Sequence, residues 1–360
     1  SREEVADAAG STPAQIGQLQ RAERMQVMAD GAARIASAMR QAGELHGIIG
    51  LGGGTGTWMA SNTMRALPIG FPKLIVSTLA QHDARIDTLV MPSVADIAGL
   101  NTLLTPILAN AAAAVCGMVE ARLPPTSTVE NRRSVAMTMF GVTTAGGTYV
   151  RERLERAGCE VVVFHANGNG GATMEDLVRR GMFAAVLDWT TTEVTDHLAG
   201  GVCDAGPTRL ESASAVGIPQ VIVPGAIDVI NWRGALPERW LDRATHMHLP
   251  GVPLIRTSIA ESRQIGDWMA GKLNQGSGPV HVLIPCGGFS ALDIEGGPFW
   301  DPAADEAFVA ALRGRLRPDI PVEEVADHIN SEAFAKLAAD ALLGISASLF
   351  RSAPREVPSQ

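Results

Sequence analysis

Residues 46–57 read HGIIGLGGGTGT, a short apolar run passing directly into a glycine-rich loop. An apolar run of this length, bounded by turn residues, is consistent with a buried strand. In open α/β sheets, ligands bind beyond the carboxyl ends of the strands. The strict dinucleotide spacing G-x-G-x-x-G fails, because Gly50 and Gly52 are followed by Thr55, and Gly52 and Gly54 by Thr57. The P-loop pattern fails too, since no lysine closes the loop. What remains is physical. Glycines let backbone N–H groups approach an anion, and a following helix adds its positive end. Four of the five residues 50–54 are glycine, more than one tight turn requires. The stretch therefore reads as a phosphate cradle, with Thr55 and Thr57 as hydroxyl donors.

Outward from it, strand-like and helix-like segments alternate. Met25, Met28, Ala32, Ile35 and Met39 mark one face of a helix expected over 12–42. Strand-like runs follow at 47–51, 73–77 and 87–91, with helical patterns at 58–67 and from about 100 to 119. Residues 123–133, LPPTSTVENRR, lack periodicity and read as a linker. The alternation then restarts, with strands at 134–140, 159–165, 183–188, 219–224 and 280–285 and helices at 145–157, 172–180 and 332–343. This pattern predicts an α/β protein of two Rossmann-like, doubly wound domains with mainly parallel sheets. Their expected spans are 1–124 and 134–350, joined by a linker at 125–133.

Composition narrows the function. With 46% apolar and 19% charged residues, the 360-residue chain reads as soluble and globular, and long enough for two cores. The net charge of −9 without a basic run excludes nucleic acid as a main partner. Aromatic residues at 4%, with one tyrosine, offer no stacking platform. An anionic ligand must then be held locally, by backbone N–H groups, a few arginines or a metal. Cys116, Cys159, Cys203 and Cys286 form no CxxC pair; three sit in apolar or small-residue surroundings and read as buried free thiols. Cys286 alone, in IPCGGFS, invites a test as nucleophile. No signal peptide or membrane-length apolar span is visible, so no membrane partner and a cytoplasmic location are expected.

The ends of the predicted strands carry the candidate site. Ser77, Thr78 and His82 follow the second strand. In the second half, GVTTAGG (141–147) offers Thr143 and Thr144, and HANGNGG (165–171) offers His165, Asn167, Gly168, Gly170 and Gly171. DWTTTE (188–193) offers Asp188, Thr190, Thr191 and Glu193, GAID (225–228) offers Asp228, and CGGFSALD (286–293) offers Ser290 and Asp293. So many small and hydroxylated residues suggest a cleft for a polyanionic ligand. The second glycine loop opens a helix bearing Glu175 and Asp176, which suit the helix dipole but would repel a bare phosphate. The first loop, with Arg65 nearby, is the better cradle. His165, Asp188 and Glu193 are candidate catalytic groups, and either carboxylate could instead ligate Mg²⁺. Thr190–Thr192 capping the next helix is the plainer alternative. His246 and His248 have the i, i+2 spacing of one strand face.

Several blocks, in order, carry a resemblance: GLGGGTGT, LPIGFPKLIVSTLA, MPSVADIAGLN, MTMFGVTT, VFHANGNGGATME, LDWTTTEV, IPCGGFSALD and DHINSEAF. Together they resemble the Tm-1-like ATP-binding (UPF0261) family over residues 1–345. That family includes bacterial and fungal proteins and the amino-terminal portion of a plant virus-resistance protein, which binds and inhibits a viral replicase. The resemblance implies two Rossmann-like domains, ATP binding associated with the first, and often a homodimer. It matches the glycine loop to Gly52, Gly53, Gly54, Thr55, Gly56 and Thr57; Ser77 and Thr78, at the next strand's end, join them as candidate cofactor-binding residues on position alone. ATP with Mg²⁺ is thus the expected cofactor, with a small molecule as substrate in the cleft between the domains. Three functions are open: an ATP-using metabolic enzyme, a non-catalytic nucleotide-dependent regulator, or a hydrolase or lyase of a small organic acid. The family ordinarily begins with an additional strand and helix, so SREEVADAAG suggests that this segment is missing.

Overall fold

The computed structural model describes residues 1–79, 87–121 and 133–351. The chain divides into two compact units, Ser1–Val129 and Glu130–Gln360. Apart from Arg133, the expected linker lies outside the described residues, as does His82.

In unit 1, β1 (Ile48–Gly52), β2 (Lys73–Ser77) and β3 (Leu89–Pro92) form a parallel sheet in that order. Register pairs Ile49 with Leu74 and Val76 with Met91, so these side chains share a face. The helix Leu104–Glu120 covers that face, packing Ala111, Ile107 and Leu108 on Leu74 and Val76. The helix Gly54–Arg65 covers the other through Met64 and Ala60 on Ile75. Its start lies four residues ahead of the expected 58, because the glycines form its first turn and apolar periodicity begins only at Trp58. The single helix expected over 12–42 is instead Pro13–Gln18 and Arg21–Gln41, preceded by Arg2–Ala8. Thr12 and Pro13 start the first of these and Gln20 with Glu23 restarts the chain at the second, two separate capping boxes. A Cβ on Gly31 would lie 2.0 Å from the Val5 carbonyl oxygen, so glycine is what allows those helices to cross so closely.

Unit 2 is larger. Its main sheet contains β4 (Ser134–Met139), β5 (Glu160–His165), β6 (Ala185–Asp188), β7 (Gln220–Ile222), β11 (Val280–Pro285) and β12 (Val322–Val325). All pairings are parallel and the order is β5-β4-β6-β7-β11-β12. Val135, Met137, Leu187, Val221 and Leu283 bury one face with Leu154, Phe334 and Leu342. Ile222, Val282 and Ile284 meet Ile265, Met269, Phe308 and Leu312 on the other. Neighbouring residues on each strand thus enter opposite cores, as fully covered parallel strands must. A feature absent from the expectations is a small antiparallel sheet, β8 (Val229–Asn231), β10 (Val252–Arg256) and β9 (Thr245–Leu249), in the order β8-β10-β9. His246 and His248 sit on its exposed edge strand β9. Among the described residues, no helix is long and apolar enough to cross a membrane.

Candidate functional site

Unit 1 holds an open cavity of about 420 Å³ at the carboxyl ends of β2 and β3, lined by Ser77, Thr78 and residues 92–96. Small-molecule sites typically occupy about 300–1,000 Å³. The glycine loop adjoins it: a Cβ on Gly53 would lie 3.3 Å from Thr78 Oγ1, and one on Gly54 would lie 3.9 Å from Leu79 Cδ1.

The glycines of this loop divide by what the fold demands of them. A Cβ on Gly52 would come within 2.7 Å of Gly56 Cα, and one on Gly56 within 2.9 Å of the Leu51 carbonyl oxygen. Those two are needed to close the turn. Gly53 and Gly54 face no such backbone obstacle, and neither has a positive φ. Gly53 is also the N-cap of the helix and supplies no side-chain cap, which leaves first-turn N–H groups for another acceptor.

The hydroxyls divide in the same way. Thr57 Oγ1 and Ser77 Oγ lie 2.7 Å apart and buried, Thr57 Oγ1 donates to the Gly52 carbonyl, and the Leu79 N–H donates to Ser77 Oγ. These two tie the helix start to the end of β2. Thr55 and Thr78 are exposed, and the Arg21 guanidinium donates to Thr55 Oγ1 at 3.4 Å. Arg21 had no signal of its own in the sequence, because only the helix crossing brings it to the loop.

In unit 2 the chain passes from β4 to β5 on one side and then from β5 across to β6 on the other side of β4. The carboxyl ends of β4 and β6 are therefore the switch point of the sheet. The predicted residues do converge there, but largely to satisfy one another. Thr143 and Thr190 share a hydrogen bond of 2.7 Å, Thr138 Oγ1 donates to Asp188 Oδ1 at 2.7 Å, and Trp189 Nε1 donates to the Thr143 carbonyl at 3.1 Å. Backbone bonds join the loops: Thr191 N–H to the Gly225 carbonyl, Ala226 N–H to Phe289 and Ala291 N–H to Val142. Asn330 fastens a further loop, accepting from the Gly146 N–H and donating to the Val142 carbonyl, each at 3.0 Å. Thr143, Thr190, Thr191, Asp228 and Ser290 are all buried.

The second glycine loop is filled by the protein itself. Glu193 Oε1 accepts the N–H groups of Gly168 and Gly171 at 2.7 and 3.0 Å. Arg209, fully buried, donates through Nε to Glu193 at 2.8 Å, through Nη2 to Asp188 at 2.6 Å and through Nη1 to Glu175 at 3.2 Å. Burial pushes the Glu193 carboxyl up, while Arg209 opposes that shift. Asp188 and Glu193, candidates for catalysis or for Mg²⁺, are therefore committed to Arg209 beneath the surface. Glu175, read only as a helix-dipole partner, is the third member of this set.

A second buried group lies beyond β7 and β11. Ser290 Oγ donates to Asp228 Oδ2 at 2.7 Å and the Phe289 N–H donates to Asp293 Oδ2 at 2.9 Å. The other oxygen of each carboxyl, Asp228 Oδ1 and Asp293 Oδ1, has no hydrogen bond among the described residues. Arg256 binds Asp305 at 2.6 Å and stands 3.9 Å from Asp293. Burial, then the Asp293 charge, raises the Asp228 carboxyl to about 7. A carboxyl that binds its proton more tightly folded than unfolded adds stability at low pH that is lost as pH rises through its folded pKa. Asp228→Asn imitates the protonated form. The variant should be more stable than wild type by roughly 1–3 kcal/mol at pH 8 and match it near pH 4, as measured by urea denaturation across that range. Equal stability differences at both pH values would refute this account.

What unit 2 leaves accessible is smaller. His165 is exposed and stacks on Phe140, with ring centroids 5.4 Å apart and planes inclined by 18°. Thr144 and Asn167 are exposed beside it, and Gly170 N–H donates to Asn167 Oδ1 at 3.2 Å. Gly170 itself is steric, since a Cβ there would meet the His165 carbonyl oxygen at 1.9 Å. Cys286 is exposed, and burial of its neighbourhood raises its thiol, which disfavours the nucleophilic thiolate.

Two parallel α/β units, one with an open cavity beside an uncapped glycine loop, define a Rossmann-like protein with its candidate site at the strands' carboxyl edge. Comparison with known families is consistent with this. Residues 1–124 match the N-terminal domain and residues 132–346 the C-terminal domain of the uncharacterised protein family UPF0261. The chain belongs to that family. Because the N-terminal match begins at the first residue, it lends no support to the expectation of a missing segment in that domain. A UPF0261 protein of Clostridium tetani is 42% identical over 96% of this chain and 87% of its own length. One from Mesorhizobium japonicum is 41% identical over 92% of this chain and 84% of its own. The ToMV resistance protein Tm-1 of Solanum lycopersicum is 41% identical over 84% of this chain, which spans 42% of that protein.

Proposed function

We propose that the chain is an ATP-binding protein, with the polyphosphate held by the glycine loop of unit 1 and the rest of the nucleotide in the adjoining cavity. The observation that carries this reading is the pair Gly53 and Gly54. No backbone atom requires either to be glycine, yet both stand at an uncapped helix start where an anion gains most from close backbone approach. Thr55, Thr78 and Arg21 supply further donors around that point. Mg²⁺ accompanies the phosphates, which normally provide much of its coordination. Among the described residues no group of three or more His, Cys, Asp or Glu could hold a metal ion, and the reading needs none.

ATP and Mg²⁺ should raise the melting temperature, by the equivalent of about 2.7 kcal/mol at a hundredfold excess over Kd. The double change Gly54→Val, Thr55→Val should abolish that rise. If the rise survives in the variant, the loop is not the phosphate site.

Whether ATP is turned over is a separate matter. One relative is named a ToMV resistance protein, which suits a nucleotide-dependent binding and regulatory role, in a homodimer as the family resemblance implies. The exposure of His165 favours a second reading, an enzyme acting on a small substrate. Of the three catalytic candidates it alone reaches the surface. Release of ADP or phosphate during incubation with ATP, Mg²⁺ and a broad metabolite mixture would support the enzyme. Its loss in His165→Ala, with ATP-dependent stabilisation retained, would assign the histidine to the chemistry.

A further inference from the structure

The cavity of unit 1 has two chemically different ends. One is the donor-rich end, where Thr78 meets Gly53 and the start of the helix. The other is built after β3 and contains Asp96, the only ionisable residue of the cavity lining among the described residues. Strand order β1-β2-β3 separates the ends of β1 and β3 by two strand spacings, on the order of 10 Å. A ligand longer than a single phosphate spans that separation between the glycine loop after β1 and the chain after β3.

We infer that Asp96 reads the ribose hydroxyls of the bound nucleotide, so that the site selects ribonucleotides. The inference rests on the ATP-binding reading given above. Asp96 Oδ1 accepts the Ile97 N–H at 2.8 Å, and this is the one hydrogen bond of its side chain among the described residues. Oδ2 is left to accept. A carboxylate only accepts hydrogen bonds, which suits the O–H donors of a vicinal diol, and its charge turns the polyphosphate towards the glycine loop. The chain that delivers Asp96 is held in an unusual form. Ala95 N–H donates to the Ser93 carbonyl at 2.6 Å across Val94, whose φ is 65°. This is the rarer form of γ-turn, and a β-branched residue with positive φ is an outlier. Ser93, buried, secures the turn by donating through Oγ to the Ala95 carbonyl at 2.6 Å and through N–H to the Ser77 carbonyl at 2.8 Å. Strain of this kind persists where the surroundings enforce it, and it recurs at ligand clamps.

The test compares three probes, each with Mg²⁺, on the full chain by isothermal titration: ATP, 2′-deoxyATP and inorganic tripolyphosphate. Wild type should bind ATP about tenfold to a hundredfold more tightly than 2′-deoxyATP, the value of a hydrogen bond to a charged group. In Asp96→Asn that ratio should collapse towards one, while tripolyphosphate binds as before or more tightly. The ligand-free melting temperature should stay close to wild type, since Asn keeps the acceptor for Ile97. An unchanged ATP to 2′-deoxyATP ratio in the variant overturns the inference. So does an equal loss of ATP and tripolyphosphate binding, which would place the carboxylate on the metal. Wild type binding tripolyphosphate as well as ATP overturns it too, while leaving the glycine loop as a phosphate site. Wild type binding none of the three overturns both readings.

Discussion

Replacing Arg209 by leucine is expected to destabilise unit 2 by about 3–5 kcal/mol at pH 7. The guanidinium is fully buried and serves Asp188, Glu193 and Glu175 together. Without it, three carboxylates remain in a low-dielectric interior with only N–H and O–H donors to hold them. Removing one member of a buried ionic set costs far more than the set contributes over an apolar replacement, because the partners are left charged and desolvated. The pH dependence gives a second signature. Burial raises the Glu193 carboxyl, and Arg209 opposes that shift. In the variant Glu193 should take up its proton well above its unfolded value. The variant's deficit should therefore be largest at pH 7–8 and shrink as pH falls towards 4. Urea denaturation of wild type and Arg209→Leu at pH 8, 7 and 5 reads both quantities. A loss under 1 kcal/mol, or one independent of pH, would contradict the structural role assigned to the cluster. Asp188→Asn added to Arg209→Leu should recover part of the loss, because one fewer charge is then stranded.

The second large effect separates two glycines that lie two residues apart. Gly56→Ala drives a Cβ to within 2.9 Å of a backbone oxygen at Leu51, next to a turn that already brings Gly56 Cα near Gly52. Backbone at such a distance must shift, and overpacking of this kind costs about 1–3 kcal/mol. Gly54→Ala meets nothing closer than a leucine methyl at 3.9 Å. Within a helix, alanine for glycine gains about 0.5–1 kcal/mol. Gly54→Ala should therefore raise the ligand-free melting temperature while weakening or removing the ATP-dependent rise, and Gly56→Ala should lower the former. Thermal melts of both variants with and without Mg²⁺-ATP give the four values needed. A Gly54→Ala protein with an unchanged ATP response would show that backbone approach at this residue is not used.

These two sites show how far the sequence could be followed. GIIGLGGGTGT announced a strand, a turn and a helix without further help, because four glycines after an apolar run admit few other local structures. It did not separate the glycines that close the turn from those that face the cavity. That distinction depends on where Leu51, Thr78 and Leu79 end up. DWTTTE and HANGNGG looked like two ligand loops, since small and hydroxylated residues are what ligand loops contain. The same residue types also build a dense polar interior, and no spacing rule tells an acid aimed at a ligand from one aimed at an arginine sixteen positions later. Some omissions were legible in principle. Ser258 with Glu261 forms a capping box, and Asp301 precedes a proline at a helix start. These signals mark the helices Ile259–Leu273 and Pro302–Arg315, which wall the second core.

By itself, then, the sequence determined the class of fold, its parallel sheets, the strand that delivers the glycine loop and the family. Each of these depends on local periodicity or on contiguous motifs, and both are written along the chain. The tertiary structure decided which polar groups are free. It buried Asp188, Glu193, Asp228 and Ser290 among partners, left His165, Thr55 and Thr78 exposed, brought Arg21 to a glycine loop far from it in sequence and placed Asp96 in the lining of the adjoining cavity. A polar side chain becomes a functional group only when its own fold leaves its hydrogen bonds unmade at an accessible place, and that is a property of packing.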